Sequence, residues 1–205
     1  WWQLPEQPAE LARQCSALGM PADCEARALS RQRELLAERL LLHRITGRYA
    51  PVAHNADRAP RIEGFDAHVS IAHSRHWLCI AVGSRPIGID IEGHGRRLAA
   101  VRQGFLNAAE QQWISEDDAL PLLVAWTAKE AMFKAIGVRQ GLHYRDDLRL
   151  SHFTLPPGPD LQLAHSGHCH GTSFYLLSSV TPQLVLTIAQ AKTETEQHQN
   201  SIHNT

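Results

Sequence analysis

Residues 87–92 constrain the fold more than any other stretch of the sequence. Three isoleucines at the odd positions alternate with Gly88, Asp90 and Glu92. A period of two predicts a β-strand with one apolar face, and it places the two carboxylates about 7 Å apart on the opposite face. Like charges on one strand face repel each other. A divalent cation such as Mg²⁺, which prefers oxygen ligands, would offset this repulsion; a strand edge facing water is the alternative. Glycine inside a strand also permits close approach of a ligand or a second backbone.

Composition excludes several function classes. The chain has 205 residues, 43% of them hydrophobic and 20% charged, as in soluble globular proteins of one domain or two small ones. A net charge of −1 gives no strong field for nucleic acid or a membrane surface. The four cysteines form no CxxC pair, and no signal peptide or membrane-spanning run is visible. We therefore expect a cytoplasmic location.

The order of predicted elements indicates an α+β fold. Helices are expected at 9–18, 31–46, 105–114 and 120–136, with Ser30 as one N-cap and Asn107 with Glu110 as a capping box. Strands are expected at 68–72, 77–82 and 87–92, and then at 148–155, 161–165, 173–180 and 183–190. The layout predicts two similar halves, each a helix packed on an antiparallel sheet, at 1–86 and 87–191. Residues 192–205 are polar and predict a disordered tail.

The predicted helix at 120–136 carries charge where an apolar stripe is expected. Because successive helical residues turn by about 100°, Lys129 falls within an arc of apolar side chains and Glu130 at its edge. Glu130 and Lys134 have the i, i+4 spacing of an ordinary helical ion pair, which leaves Lys129 unexplained. A buried anionic ligand would account for both lysines, and Glu130 would be a third carboxylate for a metal.

Histidines form two further patterns. His73 and Ser74 end a predicted strand and offer a pair of donors at a turn. His165, His168 and His170 have the spacing of a loose metal cluster but lack carboxylate or cysteine partners. We interpret these three as part of a polar loop.

Together these motifs resemble the 4′-phosphopantetheinyl transferases, in particular the larger, surfactin-synthetase-activating type with two similar halves in one chain. The strand motif of that family is matched by Gly-Ile-Asp-Ile-Glu at 88–92, and its Trp-(Ser/Thr)-x-Lys-Glu-(Ala/Ser)-x-x-Lys motif by residues 126–134. Residues 105–110 and 36–44 resemble its Phe-(Phe)-Ser-x-x-Glu element and its arginine-bearing first helix. Ala-His-Ser at 72–74 resembles its Ser-His-Ser turn.

The resemblance implies an activity and a site. The family transfers 4′-phosphopantetheine from coenzyme A to a serine of an apo acyl carrier protein, or of a peptidyl or aryl carrier domain, and releases adenosine 3′,5′-bisphosphate. The active site is expected in the cleft between the halves of a monomer. Mg²⁺, or Mn²⁺, would be held by Asp90, Glu92 and Glu130. Catalysis would rest on Glu130, Lys134 and Lys129.

Coenzyme A binding is the part of the site that departs from the family. The resemblance assigns it to both lysines and to residues of the first half, namely Arg39, Arg44, Arg58, His73 and Ser74. The Gly-Lys-Pro expected before the His-Ser strand is Arg58-Ala59-Pro60 in this chain. An arginine, Arg58 or Arg61, would then replace the missing lysine.

The carrier protein is expected to dock along the segment from Gly93 to Leu106. This segment follows the carboxylate strand directly and contains Arg96, Arg97 and Arg102, without an acidic residue before Glu110. Carriers of this class are acidic around their serine, and opposite charges steer encounter. Two other functions are open: a different Mg²⁺-dependent phosphoryl enzyme such as a hydrolase, and a non-catalytic module that binds carrier proteins.

Overall fold

The computed structural model describes residues 1–4, 7–54, 59–137, 141–193 and 196. The first part of the chain forms two helices, a three-stranded antiparallel sheet of order β1-β5-β4, and a two-stranded ribbon of β2 and β3. Its elements are β1 (Trp2–Gln3), α1 (Pro8–Ala17), α2 (Leu29–Thr46), β2 (Val52–His54), β3 (Pro60–Ile62), β4 (His68–Ser74) and β5 (Trp77–Gly83).

The second part forms a five-stranded antiparallel sheet of order β6-β10-β9-β8-β7, with one long helix packed on it. Its elements are β6 (Ile87–Gly93), α3 (Arg102–Phe105), α4 (Ala119–Ile136), β7 (Arg149–Leu150), β8 (Leu161–Cys169), β9 (Thr172–Val180) and β10 (Leu184–Ala191). Single 3-10 turns lie at Ala99–Val101 and Glu110–Gln112. The α+β class is confirmed. In the described part of the chain, no helix combines the length and the apolar character needed to cross a membrane.

Strand β6 joins the two parts. Its Ile89 and Ile91 are buried with Trp77 and Cys79 of β5 and with Leu186 of β10 in one cluster. The backbone N–H of Ile89 also donates a hydrogen bond to Ser70 Oγ on β4 at 3.0 Å. The apolar face predicted for this strand therefore contacts the first sheet, and its carboxylate face is left for α4.

Gly88 lets α4 approach β6 closely. A Cβ atom at this position would lie 1.8 Å from the carbonyl oxygen of Ala131 and 2.7 Å from the backbone N of Ala135. No side chain fits in that space. Gly88 therefore permits close approach, as predicted, and the group that approaches it is the backbone of α4.

Several predicted boundaries are wrong. Helix α2 starts at Leu29, with Ala28 in the N-cap position and no side-chain cap, so Ser30 lies inside the helix. No continuous helix spans 105–114, because α3 ends at Phe105 and the chain then turns Glu110 into the core.

The last strands also differ from the prediction. Only Arg149–Leu150 of the segment 148–155 pairs as a strand. Strands β8 and β9 stay paired as far as Cys169 and Thr172, and a tight turn at His170 and Gly171 joins them. Most of the turn predicted at 167–171 is therefore part of β8. The tail predicted at 192–205 lies mostly outside the described residues.

We expect the Gly88→Ala variant to lose about 3 kcal/mol or more of unfolding free energy, since the added methyl group forces α4 away from β6. Urea denaturation of the purified variant measures this. Gly95→Ala is the matched control, because a Cβ there meets no atom within 4 Å. Equal stability of the two variants would contradict the close approach of the helix.

Candidate active site

Asp90 is the most buried of the predicted metal ligands, with 7% of its surface exposed. It lies on the face of β6 that meets α4. Lys134 Nζ donates hydrogen bonds to Asp90 Oδ1 at 2.8 Å and to the carbonyl oxygen of Ile89 at 3.1 Å. The second oxygen, Asp90 Oδ2, is buried and accepts no hydrogen bond from the described residues. A buried carboxylate oxygen without a donor is costly, and a cation ligated there would remove that cost.

Glu92 lies two residues further along the same face of β6. Its Oε1 accepts a hydrogen bond from Trp126 Nε1 at 3.3 Å and forms an ion pair with Arg96 Nη1. The Arg96 guanidinium carbon also lies 4.6 Å from the centre of the Trp126 ring, within cation–π range.

Glu130 extends from α4, and the Tyr144 hydroxyl near it lowers the pKa of this carboxyl. The Tyr144 ring is stacked on Trp126 with centroids 6.1 Å apart, and it contacts Phe133 at 4.9 Å. Tyr144 lies in the loop after the helix and belongs to none of the recognised motifs. No sequence signal pointed to it, because its contact with Glu130 is made by tertiary packing.

Burial raises the pKa values of all three carboxyls, and repulsion from Asp90 adds to the effect at Glu92 and Glu130. Desolvation is the largest cause at Asp90, where Lys134 opposes it. At Glu92 and Glu130, the charge of Asp90 is the largest cause after burial; Arg96 lowers the pKa of both groups, and Lys134 lowers that of Glu130. The three groups therefore share one electrostatic environment that favours additional positive charge.

The described residues contain no group of three or more His, Cys, Asp or Glu side chains already arranged around a metal position. The donor chemistry nevertheless fits Mg²⁺: the groups are carboxylate oxygens, they repel one another, and Asp90 Oδ2 has no hydrogen-bond partner among the described residues. Asp90, Glu92 and Glu130 are the residues that would hold the ion.

Lys129 does not lie beside these carboxylates. Its side chain is fully buried, and Nζ donates to Glu110 Oε2 at 2.6 Å, to the Phe105 carbonyl at 2.6 Å and to the Tyr144 carbonyl at 3.3 Å. Burial lowers its pKa, and Glu110 opposes this shift. The buried anion predicted as the partner of Lys129 is thus the side chain of Glu110. Of the two lysines, it is Lys134 that contacts a predicted metal ligand, Asp90.

Glu110, the buried partner of Lys129, makes further hydrogen bonds. It exchanges the two predicted capping-box hydrogen bonds with Asn107, at 2.9 and 3.0 Å, and its Oε1 accepts the backbone N–H of Leu150 at 2.8 Å. The capping box is confirmed, although it caps a single 3-10 turn. One carboxylate therefore ties the segment before α4 to the helix and to β7.

The predicted coenzyme ligands of the first half have other partners. Arg39 Nη1 donates to the carbonyls of Pro21 and Asp23 at 2.8 and 2.6 Å. Arg44 lies over the Trp2 ring at 5.2 Å, and His73 Nδ1 lies 3.5 Å from Glu34 Oε1.

Two more of these predicted ligands require comment. Ser74 ends β4, where it pairs with Trp77, and Arg58 lies outside the described residues. Strand β4, which carries His73 and Ser74, packs against β6, so the two parts of the predicted site lie on neighbouring strands.

His165 belongs to a hydrogen-bonded chain rather than to a polar loop. His165 Nε2 lies 2.9 Å from Ser178 Oγ, Ser178 lies 2.8 Å from Thr187 Oγ1, and Thr187 lies 2.8 Å from Thr127 Oγ1. Thr127 donates its proton to the Val124 carbonyl at 3.1 Å, so each hydroxyl must donate toward α4 and His165 must carry its proton on Nε2. Burial lowers the pKa of His165 to about 4, which keeps the ring neutral.

We expect Lys129→Met to lower the unfolding free energy by about 3–5 kcal/mol, because the Glu110 carboxylate would stay buried without its ammonium partner. Urea denaturation measures the change, with the exposed Arg97→Met as a charge-matched control. Adding Glu110→Gln should recover part of the loss, since no unpaired charge remains. A stable Lys129→Met variant that lost only coenzyme A binding would show that Lys129 serves a ligand.

Comparison with known proteins agrees with the resemblance read from the motifs. The sequence model of the 4′-phosphopantetheinyl transferase superfamily matches residues 86–189, just over half of the 205-residue chain. This region contains the three carboxylates, both lysines of α4 and the Lys129–Glu110 pair.

A curated relative agrees as well. The 4′-phosphopantetheinyl transferase gsp of Aneurinibacillus migulanus is 32% identical over 77 residues. The alignment covers 36% of this chain and 32% of that relative. By the match over residues 86–189, this chain belongs to the 4′-phosphopantetheinyl transferase superfamily.

Proposed function

We propose that the protein transfers 4′-phosphopantetheine from coenzyme A to the serine of an apo acyl carrier protein, or of a peptidyl or aryl carrier domain. Adenosine 3′,5′-bisphosphate leaves. The observation that carries this proposal is the environment of Asp90, where Lys134 donates to one oxygen and the other is buried without a donor from the described part of the chain. This arrangement suits a metal-assisted transfer at a pyrophosphate.

Each residue of the site has a role in the proposal. Asp90, Glu92 and Glu130 would hold Mg²⁺ or Mn²⁺, and the ion would supply positive charge to offset that of the pyrophosphate. Glu130 accepts the proton of the carrier serine, directly or through a water molecule. Tyr144 orients Glu130 through its hydroxyl. Lys134 stabilises negative charge that develops on the leaving group.

Lys129 takes a positioning role in this scheme. Its ion pair with Glu110 fixes the rotation of α4, and with it the placement of the neighbouring Glu130. Arg39, Arg44, Arg58, His73 and Ser74 stay assigned to coenzyme A. That assignment requires Arg39 and His73 to exchange their present partners, which is possible because both contacts are at the surface.

The proposal includes a monomer with two halves, 1–86 and 87–191, and a binding cleft between them. Its support is that β6 packs on β4 and β5 while its carboxylates face α4. A ligand bound near His73 and Asp90 would then contact both halves. We expect the enzyme to act in the cytoplasm, where coenzyme A and carrier proteins meet.

The direct test is incubation of the protein with coenzyme A, Mg²⁺ and an apo carrier protein, followed by mass spectrometry of the carrier. We expect a gain of one phosphopantetheine, lost on chelation of the metal. We expect Asp90→Ala to reduce the rate by about 100-fold or more, because a metal ligand is removed. Asp160→Ala, an exposed carboxylate just before β8, is the control.

Three outcomes would count against the proposal. Near-normal transfer by Asp90→Ala would remove the proposed metal site. Hydrolysis of coenzyme A without modification of the carrier would favour a phosphoryl hydrolase. Carrier binding without any reaction would favour a non-catalytic module.

We also propose that the carrier docks along the segment from Gly93 to Leu106. Arg102 pairs with Glu116 at 3.5 Å and Arg96 with Glu92, whereas Arg97 is exposed and forms no ion pair with a described residue. Arg97 is therefore the arginine most available to an acidic partner.

We expect Arg97→Glu to raise the KM for the carrier several-fold at low salt, where such charges act most strongly, and to leave the KM for coenzyme A unchanged. Steady-state kinetics at two salt concentrations measure both constants. Arg13→Glu on the exposed side of α1 is the control. Unaltered carrier kinetics at low salt would place the docking surface elsewhere.

A further inference from the structure

Arg96 has contacts that set it apart from its neighbour Arg97. It forms an ion pair with Glu92, and its guanidinium carbon lies over the ring of Trp126, whose Nε1 donates to the same Glu92 oxygen. Its side chain is 42% exposed, whereas that of Glu92 is 13% exposed. One surface arginine therefore covers a nearly buried carboxylate that would be needed for a metal.

The charge balance at the site favours release of this arginine when a metal binds. Arg96 lowers the pKa values of Asp90, Glu92 and Glu130, so it acts as a counterion to all three. With Lys134 it supplies two positive charges against three negative ones. Binding of a divalent ion would change the excess of negative charge at the site into an excess of positive charge. Arg96 is the cation that can then leave the site. Lys134 is held by Asp90 and by the Ile89 carbonyl, whereas Arg96 already reaches solvent.

We propose that Arg96 is a displaceable internal counterion that couples metal binding to carrier docking. It holds Glu92 in the metal-free protein and gives up this contact when a divalent cation binds. Its guanidinium then faces the docking segment and pairs with an acidic carrier. This inference rests on the proposed function, since it requires both the metal site and the carrier.

Reciprocity follows from thermodynamic linkage. If the metal frees Arg96 for the carrier, then a carrier that engages Arg96 must free Glu92 and tighten metal binding by the same factor.

The backbone allows Arg96 to move away from Glu92 without rearrangement of β6. Arg96 follows a short turn in which its N–H bonds the carbonyl of Gly93, and Gly95 has no neighbour at its Cβ position.

The test is Mn²⁺ binding followed by electron paramagnetic resonance, without coenzyme A or carrier. We expect Arg96→Ala to tighten the Kd for Mn²⁺ about fivefold, the scale of a partly exposed ion pair. Arg97→Ala removes the same charge one residue away and should change the Kd by less than about twofold. Asp90→Ala should abolish binding at the site.

The same measurement is repeated with an acyl carrier protein whose attachment serine is replaced by alanine. In the wild-type protein the carrier should tighten Mn²⁺ binding, and in Arg96→Ala this gain should disappear. Equal Mn²⁺ affinity of the wild type and Arg96→Ala, or a gain that persists in Arg96→Ala, would overturn the inference and leave the proposed function intact. If no protein binds Mn²⁺, the proposed metal site fails and the inference fails with it.

Discussion

The close approach of α4 to β6 at Gly88 is the contact on which the site depends. Because a side chain at Gly88 would overlap the Ala131 carbonyl, the helix backbone lies directly on the strand. The side chains that flank this contact, Lys134 on the helix and Asp90 on the strand, are thereby brought to 2.8 Å. A helix held further away by a methyl group would separate the two halves of the ion pair.

Two lysines of one motif have opposite environments because they lie on different sides of that helix. Lys129 faces the loop before α4 and pairs with Glu110 at 0% exposure, whereas the side chain of Lys134 is 28% exposed. Burying a charged pair brings little net stability, but separating it costs several kcal/mol, on the order of 3–5. The Lys129–Glu110 pair therefore fixes one arrangement of the helix and its neighbours, whereas the more exposed Lys134 pairs with Asp90.

The carboxylate face is unfavourable for the isolated protein. Asp90, Glu92 and Glu130 are all buried enough to raise their pKa values, and Lys134 and Arg96 compensate only in part. A site that retains such repulsion gains stability when a cation binds, since binding to the folded state stabilises it by mass action. The same feature makes Arg96 the most readily displaced charge of the site.

The sequence by itself determined the local features of this protein. The alternation at 87–92 predicted a strand with an apolar and an acidic face, Gly88 predicted close approach, and the spacing at 126–134 predicted a helix with charge in its apolar stripe. Each of these patterns spans only a few residues, and over so short a range backbone periodicity decides which side chains share a face.

Only the tertiary structure decided which groups meet across long separations. The partner of Lys129 is Glu110, Tyr144 from outside the motifs lowers the pKa of Glu130, and Arg96 pairs with Glu92. Strand β6 pairs with β10, almost 100 residues later in the chain. Such contacts form because packing must satisfy every buried polar group at once, a condition that applies to the whole fold and that no local pattern contains.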